Sequence, residues 1–297
     1  MNKSLFAILL AVVLMNACAA RGNRIDHDPY FESFFEKARL IMTNEEIQIY
    51  KHLPDIQARD EFISEFWQKR DPFPETPENE NKTEFERRIA YANRWFKENR
   101  PSGRGWDSPR GRILLLLGEP DNRMLSDMIN NPDIKGYERW IYYYYQLELI
   151  FVDSDGFGEY KLKNWPPELL TSIDRAKFTL NLADKEALKN VFAFEAKYRN
   201  GEIVIAIPVK KIRFQEVENK IQAAYKISVY VYRDYRKIDA PTFSKQFSYA
   251  KDRIPAEKSL EFSLPYRLSE KGKYYFDVLV EDVMTAARSR HFISYKY

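Results

Sequence analysis

The C-terminal third of the chain alternates. Ile221, Ala223, Tyr225, Ile227, Val229 and Val231 occupy every second position, as do Tyr274, Phe276, Val278 and Val280. A period of two places the apolar residues on one face of an extended strand, and that face must be buried against another layer. Strand-like runs recur at about 191–199, 202–209, 221–233, 241–249, 258–264, 273–282 and 287–296. Asn200-Gly201, between the first two, is the pair favoured in a two-residue hairpin turn. Short antiparallel strands so spaced are satisfied by two sheets packed face to face. The supply of 20 Phe and 20 Tyr suits sheet rather than helix.

This pattern predicts an immunoglobulin-like β-sandwich over residues 191–297, without the Cys…Trp…Cys triplet of antibody domains. The first half reads differently. Tyr30, Phe31, Phe34, Phe35, Ala38 and Ile41 recur near helix period. Thr43 and Glu46 form a capping-box signature for a second helix. Pro54 suits the first turn of a third, with Ile56, Phe62, Ile63, Phe66 and Trp67 on its apolar face. A fourth is expected to start at Thr76-Pro77, with Phe85, Ile89, Ala92 and Phe96 as a single stripe and Glu84–Arg88 as an i, i+4 pair. Beyond it, Gly105 to Asp121 reads GWDSPRGRILLLLGEPD. The apolar run Ile113–Leu117, bounded by glycines, is expected to be a buried strand, with Gly105 and Gly111 chosen for backbone freedom. Residues 121–136 are polar and irregular, and strands are expected at 138–145, 147–152 and 159–162. Helices followed by a small antiparallel sheet make an α+β order.

These residues also carry a family pattern. Gly105-Trp106, then Arg110-Gly111, an apolar run and Gly118-Glu119-Pro120-Asp121 resemble the GWxTD domain, a bacterial family of exported proteins of unknown function. Upstream, FWQKRDPFPETPENE and RRIAYANRWF match as well, so the resemblance covers about residues 60–165. Ser108 stands where the motif has Thr, and Pro109 where it has Asp. The resemblance implies export to the cell envelope and names no reaction.

The N-terminus points the same way. Lys3 precedes the apolar run Leu5–Met15, too short to span a bilayer as a helix but suited to a signal peptide. The run ends at Met15-Asn16-Ala17-Cys18, which looks like a lipobox with Cys18 as the lipidated residue. Cys18 is the single cysteine, so no intrachain disulfide can form. The organisation expected is a signal peptide (1–17), a lipid tether (18–28), a GWxTD-like α+β domain (29–166), a helical connector (167–190) and the immunoglobulin-like β-sandwich (191–297).

Charge is balanced, with 47 Lys plus Arg against 44 Asp plus Glu, and neither sign forms a block, which argues against nucleic-acid binding. The histidines His27, His52 and His291 lie far apart, so no metal site is expected, and Asp153-Ser154-Asp155-Gly156 reads as a turn rather than a calcium loop. No phosphate-binding loop, dinucleotide fingerprint or nucleophile elbow is present, and no cofactor is expected. The candidate polar cluster is Arg70, Asp71, Asn79, Glu80, Arg87, Arg88, Asn93, Trp106, Arg110 and Asp121, with arginine forks suited to a carboxylate or phosphate. It is either a binding site or a salt-bridge frame that pins helices to the sheet. The function expected is a membrane-anchored lipoprotein, in the outer membrane and facing periplasm or cell surface. There it binds a protein or glycan partner without catalysis. The alternatives are an envelope hydrolase using Glu80, Glu119 or Asp121, and a passive scaffold.

Overall fold

The computed structural model describes residues 28–98, 103–126, 133–179, 192–251 and 257–297. The signal peptide, Cys18 and the tether up to His27 lie outside these residues, as does the connector beyond Thr179. The chain divides at Glu36/Lys37 into two units, and α1 (Pro29–Ala38) runs from the first into the second.

α2 (Asn44–Lys51) begins with the expected capping box: Thr43 Oγ1 accepts from Glu46 N at 3.2 Å, and Thr43 N donates to Glu46 Oε2 at 2.9 Å. α3 (Ile56–Gln68) is capped by Asp55, whose carboxylate accepts from Ala58 N at 2.8 Å, so Pro54 precedes the helix rather than opening it. α4 (Glu80–Trp95) starts later than Thr76-Pro77 predicts. The Thr76 hydroxyl donates instead to the carbonyls of Phe73 and Glu78, and Asn79 Oδ1 takes the cap by accepting from Lys82 N at 2.9 Å.

The largest departure is the motif itself. After a 3₁₀ turn at Gly105–Asp107, residues Pro109–Leu117 form a helix, α5, not a strand. Ser108 caps it, accepting from Gly111 N at 3.0 Å, and Pro109 sits in the first turn, where a backbone N–H has no intrahelical partner to lose. Arg110, Gly111 and Ile113 through Leu117 are all buried, so α5 is enclosed on nearly every side and carries no amphipathic period to read. Gly105 and Gly111 do not have positive φ. Their lack of a side chain permits close approach: a Cβ on Gly105 would lie 1.9 Å from the Ala92 carbonyl oxygen, and one on Gly111 would lie 2.0 Å from that of Gly105.

A four-stranded antiparallel sheet follows in the order β1 (Asn122–Ser126), β2 (Gly136–Tyr142), β3 (Leu147–Asp153), β4 (Lys161–Leu162). β1 falls where the sequence reads as irregular, because it is an edge strand with little buried surface to impose a pattern. β2 stops at Tyr142 in a turn where Gln146 has φ 52°. The Tyr142 hydroxyl donates to the Gly118 carbonyl at 2.9 Å, tying this sheet to the end of α5. Asp153 closes the next turn by accepting from the N–H groups of Asp155, Gly156 and Gly158. α6 (Glu168–Thr179) then leads away.

The C-terminal strands lie close to their expected places. One sheet holds β5 (Glu195–Arg199), β6 (Glu202–Pro208) and β11 (Ser259–Pro265), in the order β11-β6-β5. The other has the order β10-β8-β12-β13, from β8 (Lys220–Arg233), β10 (Thr242–Ala250), β12 (Lys273–Asp282) and β13 (Arg288–Lys296). Two short strands, β7 (Gln215–Val217) and β9 (Arg236–Asp239), also pair with β8. Asn200 (φ 54°) and Gly201 (φ 79°) make the expected hairpin turn. The alternating residues of β8 and β12 meet Ile203, Ile205, Ile207, Phe262 and Leu264 in one apolar core between the sheets. The protein is thus α+β, with N-terminal helices followed by antiparallel sheets.

Candidate functional site

The ten candidate residues do not converge on one site. They divide between two buried charge clusters and several local turns.

The first cluster joins the helices to the sheet of β8, β12 and β13. Arg70, just past α3, grips the Glu46 carboxylate with both terminal nitrogens, at 3.0 and 2.9 Å, and stacks 3.7 Å over the Phe66 ring. Besides the Thr43 N–H of the capping box, Glu46 also accepts from Arg290 on β13, at 2.9 Å. Arg290 also holds Asp277 of β12 at 2.6 and 2.7 Å, and Lys69 donates to the same Asp277 carboxylate at 2.8 Å. Lys69 donates to the Tyr232 hydroxyl at 3.1 Å and lies 3.8 Å over the Tyr230 ring. The Asp277 and Arg290 side chains are fully buried, at 0% exposure.

Burial by itself disfavours the charged form of such carboxylates and pushes their pKa upward. Around Glu46 the charges of Arg290 and Arg70 outweigh it, and around Asp277 those of Arg290 and Lys69, so both carboxyls are held below their usual range. Lys69 is instead lowered, because its own burial exceeds the help it receives from Asp277.

The second cluster centres on Glu138 of β2, whose side chain is completely enclosed. It accepts from Arg110 Nη1 at 2.8 Å, from Trp140 Nε1 at 2.7 Å and from Arg123. Burial opposes its charge, but the hydrogen bonds from Arg123, Trp140 and Arg110 prevail and lower its pKa. Arg110 lies between the Tyr160 ring at 3.8 Å and the Phe96 ring at 4.7 Å, and reaches Glu98 at 3.4 Å. Asp121, the other charged end of the motif, takes no part in this cluster: its carboxylate accepts from Tyr143 N at 2.8 Å.

The remaining candidates are engaged locally. Asp71 caps a turn through Phe73 N at 3.1 Å, and its carbonyl accepts from Arg288. Asn79 also donates to the Trp67 carbonyl at 2.8 Å, and Glu80 accepts from the Thr76 hydroxyl at 3.2 Å. Arg88 makes the expected pair with Glu84, at 2.7 Å, but is buried and also donates to the Leu115 carbonyl at 3.2 Å, fastening α4 to α5. Arg87 bridges Glu84 and Glu119 at the surface. Asn93 accepts from Trp106 N at 3.3 Å, and the Trp106 ring is buried.

Sequence reasoning missed Glu46 as more than a cap, and missed Lys69, Arg123, Glu138, Asp277 and Arg290 altogether. Asp277 was the most visible of these, since it is a carboxylate within the apolar run Tyr274–Val280. A cleft of about 250 Å³ opens beside the first cluster, between α3 and the β8–β9 hairpin, lined among others by Asp55, Glu61, Glu65, Tyr232, Arg236 and Lys237. Among the described residues, no group of His, Cys, Asp and Glu is placed to hold a metal ion, and no helix is long and apolar enough to cross a membrane.

Fold and clusters together define an α+β protein whose helices are keyed to antiparallel sheets by enclosed ion pairs. No family model matches the chain, and no curated protein does. Among solved structures, it is similar to the chicken interferon gamma receptor alpha chain at 11% identity and a TM-score of 0.20, over 36% of this chain and 50% of that one. It is also similar to superoxide reductase (neelaredoxin) from Ignicoccus hospitalis, at 13% identity and a TM-score of 0.19, over 36% of this chain and 79% of that one. The chain spans half the length of the receptor chain it matches.

Proposed function

We propose that this chain is a lipid-tethered, non-enzymatic binding and assembly module of the bacterial cell envelope, of the GWxTD kind, with its C-terminal sheets forming an immunoglobulin-like sandwich. The observation that carries the non-enzymatic part is the engagement of the motif's charged groups within the fold. Arg70, Arg88 and Arg110 are buried against internal partners. Of the carboxylates weighed for hydrolysis, Glu80 accepts from Thr76 through one oxygen and buries the other, and at the surface Glu119 pairs with Arg87 and Asp121 accepts from Tyr143 N. General acid–base chemistry requires a group within reach of a substrate proton, which supports binding over catalysis.

The tether rests on the lipobox-like run ending at Cys18. Several acyl chains on one residue hold a protein at a membrane, where a single chain holds it only marginally. Membrane fractionation tests this: the chain is expected in the membrane fraction, and Cys18→Ser is expected in the soluble fraction or unprocessed. Retention of Cys18→Ser in membranes overturns the tether. Crosslinking followed by capture from detergent-solubilised membranes then identifies the protein or glycan partner.

A further inference from the structure

β10 ends its sheet. It pairs with β8 over Thr242–Ala250, and among the described residues no strand pairs with its other side. Such an edge offers unpaired N–H and C=O groups to any incoming strand, and proteins protect it with prolines, bulges or charges. A register shift near Val231/Tyr232 and Pro241 interrupt the strand before β10 begins, so the open edge is β10 itself. The Pro241 carbonyl accepts from Val229 N at 2.9 Å, which sets the phase of the ladder. Phe243, Lys245 and Phe247 therefore turn their backbone groups toward β8, and Ser244, Gln246 and Ser248 turn theirs outward.

The side chains alternate with equal regularity. Thr242, Ser244, Gln246, Ser248 and Ala250 are exposed and uncharged, and Phe243, Lys245, Phe247 and Tyr249 are half-buried on the face toward the second sheet. Phe243 and Phe247 pack against the sandwich core, and Phe247 meets Phe262 of β11 at 5.7 Å. Lys245 lies between these two rings in the same row, and among the described residues it makes no hydrogen bond or ion pair. An inward lysine at a strand edge repels apolar strands, because adding one would bury an uncompensated charge. The same lysine admits a strand that brings a carboxylate to the opposite position.

We propose that the β10 edge is a docking site for an extended segment of a partner protein, added as an antiparallel strand. That segment carries an aspartate or glutamate opposite Lys245, flanked at both second neighbours by apolar residues opposite Phe243 and Phe247. Lys245 faces its partner at a non-hydrogen-bonded position, where opposed side chains are closest. A second copy of this chain fits less well: pairing β10 with itself about Gln246 sets Lys245 against Phe247, and pairing about Lys245 sets it against another lysine.

This inference rests on the binding-module reading. Its test uses the purified chain and a defined peptide, so its failure is distinct from failure of the tether, which fractionation decides. The probe is a fluorescent nine-residue peptide alternating threonine and valine, with glutamate as the fourth residue. Anisotropy is expected to show binding that weakens about fivefold when glutamate becomes glutamine. Methylating the backbone nitrogens of the third and fifth residues, which would bond to the outward groups of Gln246 and Ser244, should abolish binding. Methylating those of the second and sixth should not. Lys245→Glu should switch preference to a peptide with lysine in fourth place. Equal binding of the glutamate and glutamine peptides, no binding of either, or indifference to the site of methylation overturns the proposal. So does self-association that Gln246→Pro abolishes, which would assign the edge to a second copy.

Discussion

Arg110 has Glu138 at 2.8 Å and the rings of Tyr160 and Phe96 on its flanks, and only 7% of its side chain is exposed. Removing one member of a buried pair leaves the other charge without compensation, at a cost of about 3–5 kcal/mol. Glu138 keeps Arg123 and Trp140, which places Arg110→Ala at the lower end of that range. Its melting temperature is expected to fall by roughly 6–12 °C, given ~2–4 °C per kcal/mol for a chain of this class. Adding Glu138→Gln should deepen the loss, because Arg123 then loses its carboxylate partner as well, and scanning calorimetry on the single and double variants measures both. An Arg110→Ala protein with unchanged melting that no longer captures its partner would move Arg110 from the frame of the fold to the binding site.

At the scale of the element, α5 accounts for Ser108 and Pro109, the two positions where the chain differs from the motif it resembles. Ser108 keeps the hydroxyl that caps the helix, a role Ser and Thr share, and its Oγ also donates to the Gly105 carbonyl at 2.8 Å. Pro109 needs no N–H in the first turn. Ser108 is wholly buried, so Ser108→Ala strands the Gly111 N–H as well as uncapping the helix. We expect a loss of about 1–2 kcal/mol in urea denaturation, and recovery of most of it in Ser108→Thr. An Ala variant as stable as the parent would show that the cap contributes nothing. The apolar run was legible as buried but not as helical. A five-residue run buried on every side has the same composition in either state, and the deciding cap, Ser108, stands five residues before it.

Across the molecule from Lys37 onward, the helices meet the β12–β13 face through charges rather than through the apolar core between the two C-terminal sheets. That core is drawn wholly from residues between Phe192 and Ile293. Residues 184–297 expressed alone are therefore expected to fold as β-sheet, seen by far-ultraviolet circular dichroism, while exposing Tyr230, Tyr232 and the Asp277–Arg290 pair. A random-coil spectrum would mean that the sheets need the helices. The same seam sets the response to acid. Glu46, Asp277 and Glu138 have folded-state pKa values below their ordinary values of 4.5, 3.8 and 4.5. Their contribution is thus complete above the unfolded values and is lost as pH falls through the lowered, folded ones. Urea midpoints should hold steady from pH 7 to about 5 and decline steeply below about 4.5. Glu46→Gln should be less stable at neutral pH but show a shallower decline.

The sequence by itself determined what depends on near neighbours. Alternation along β8 and β12 determined the sheets, Asn200-Gly201 the hairpin, and Thr43 with Glu46 the start of α2, because period, turn angle and cap are each settled within a few residues. Only the tertiary structure decided which charges are enclosed. Lys69 meets Asp277 across 208 positions, and Arg290 meets Glu46 across 244. A lysine or an arginine reads alike whether it ends in water or against a buried carboxylate. Its environment is set by the packing of segments that local sequence does not bring together.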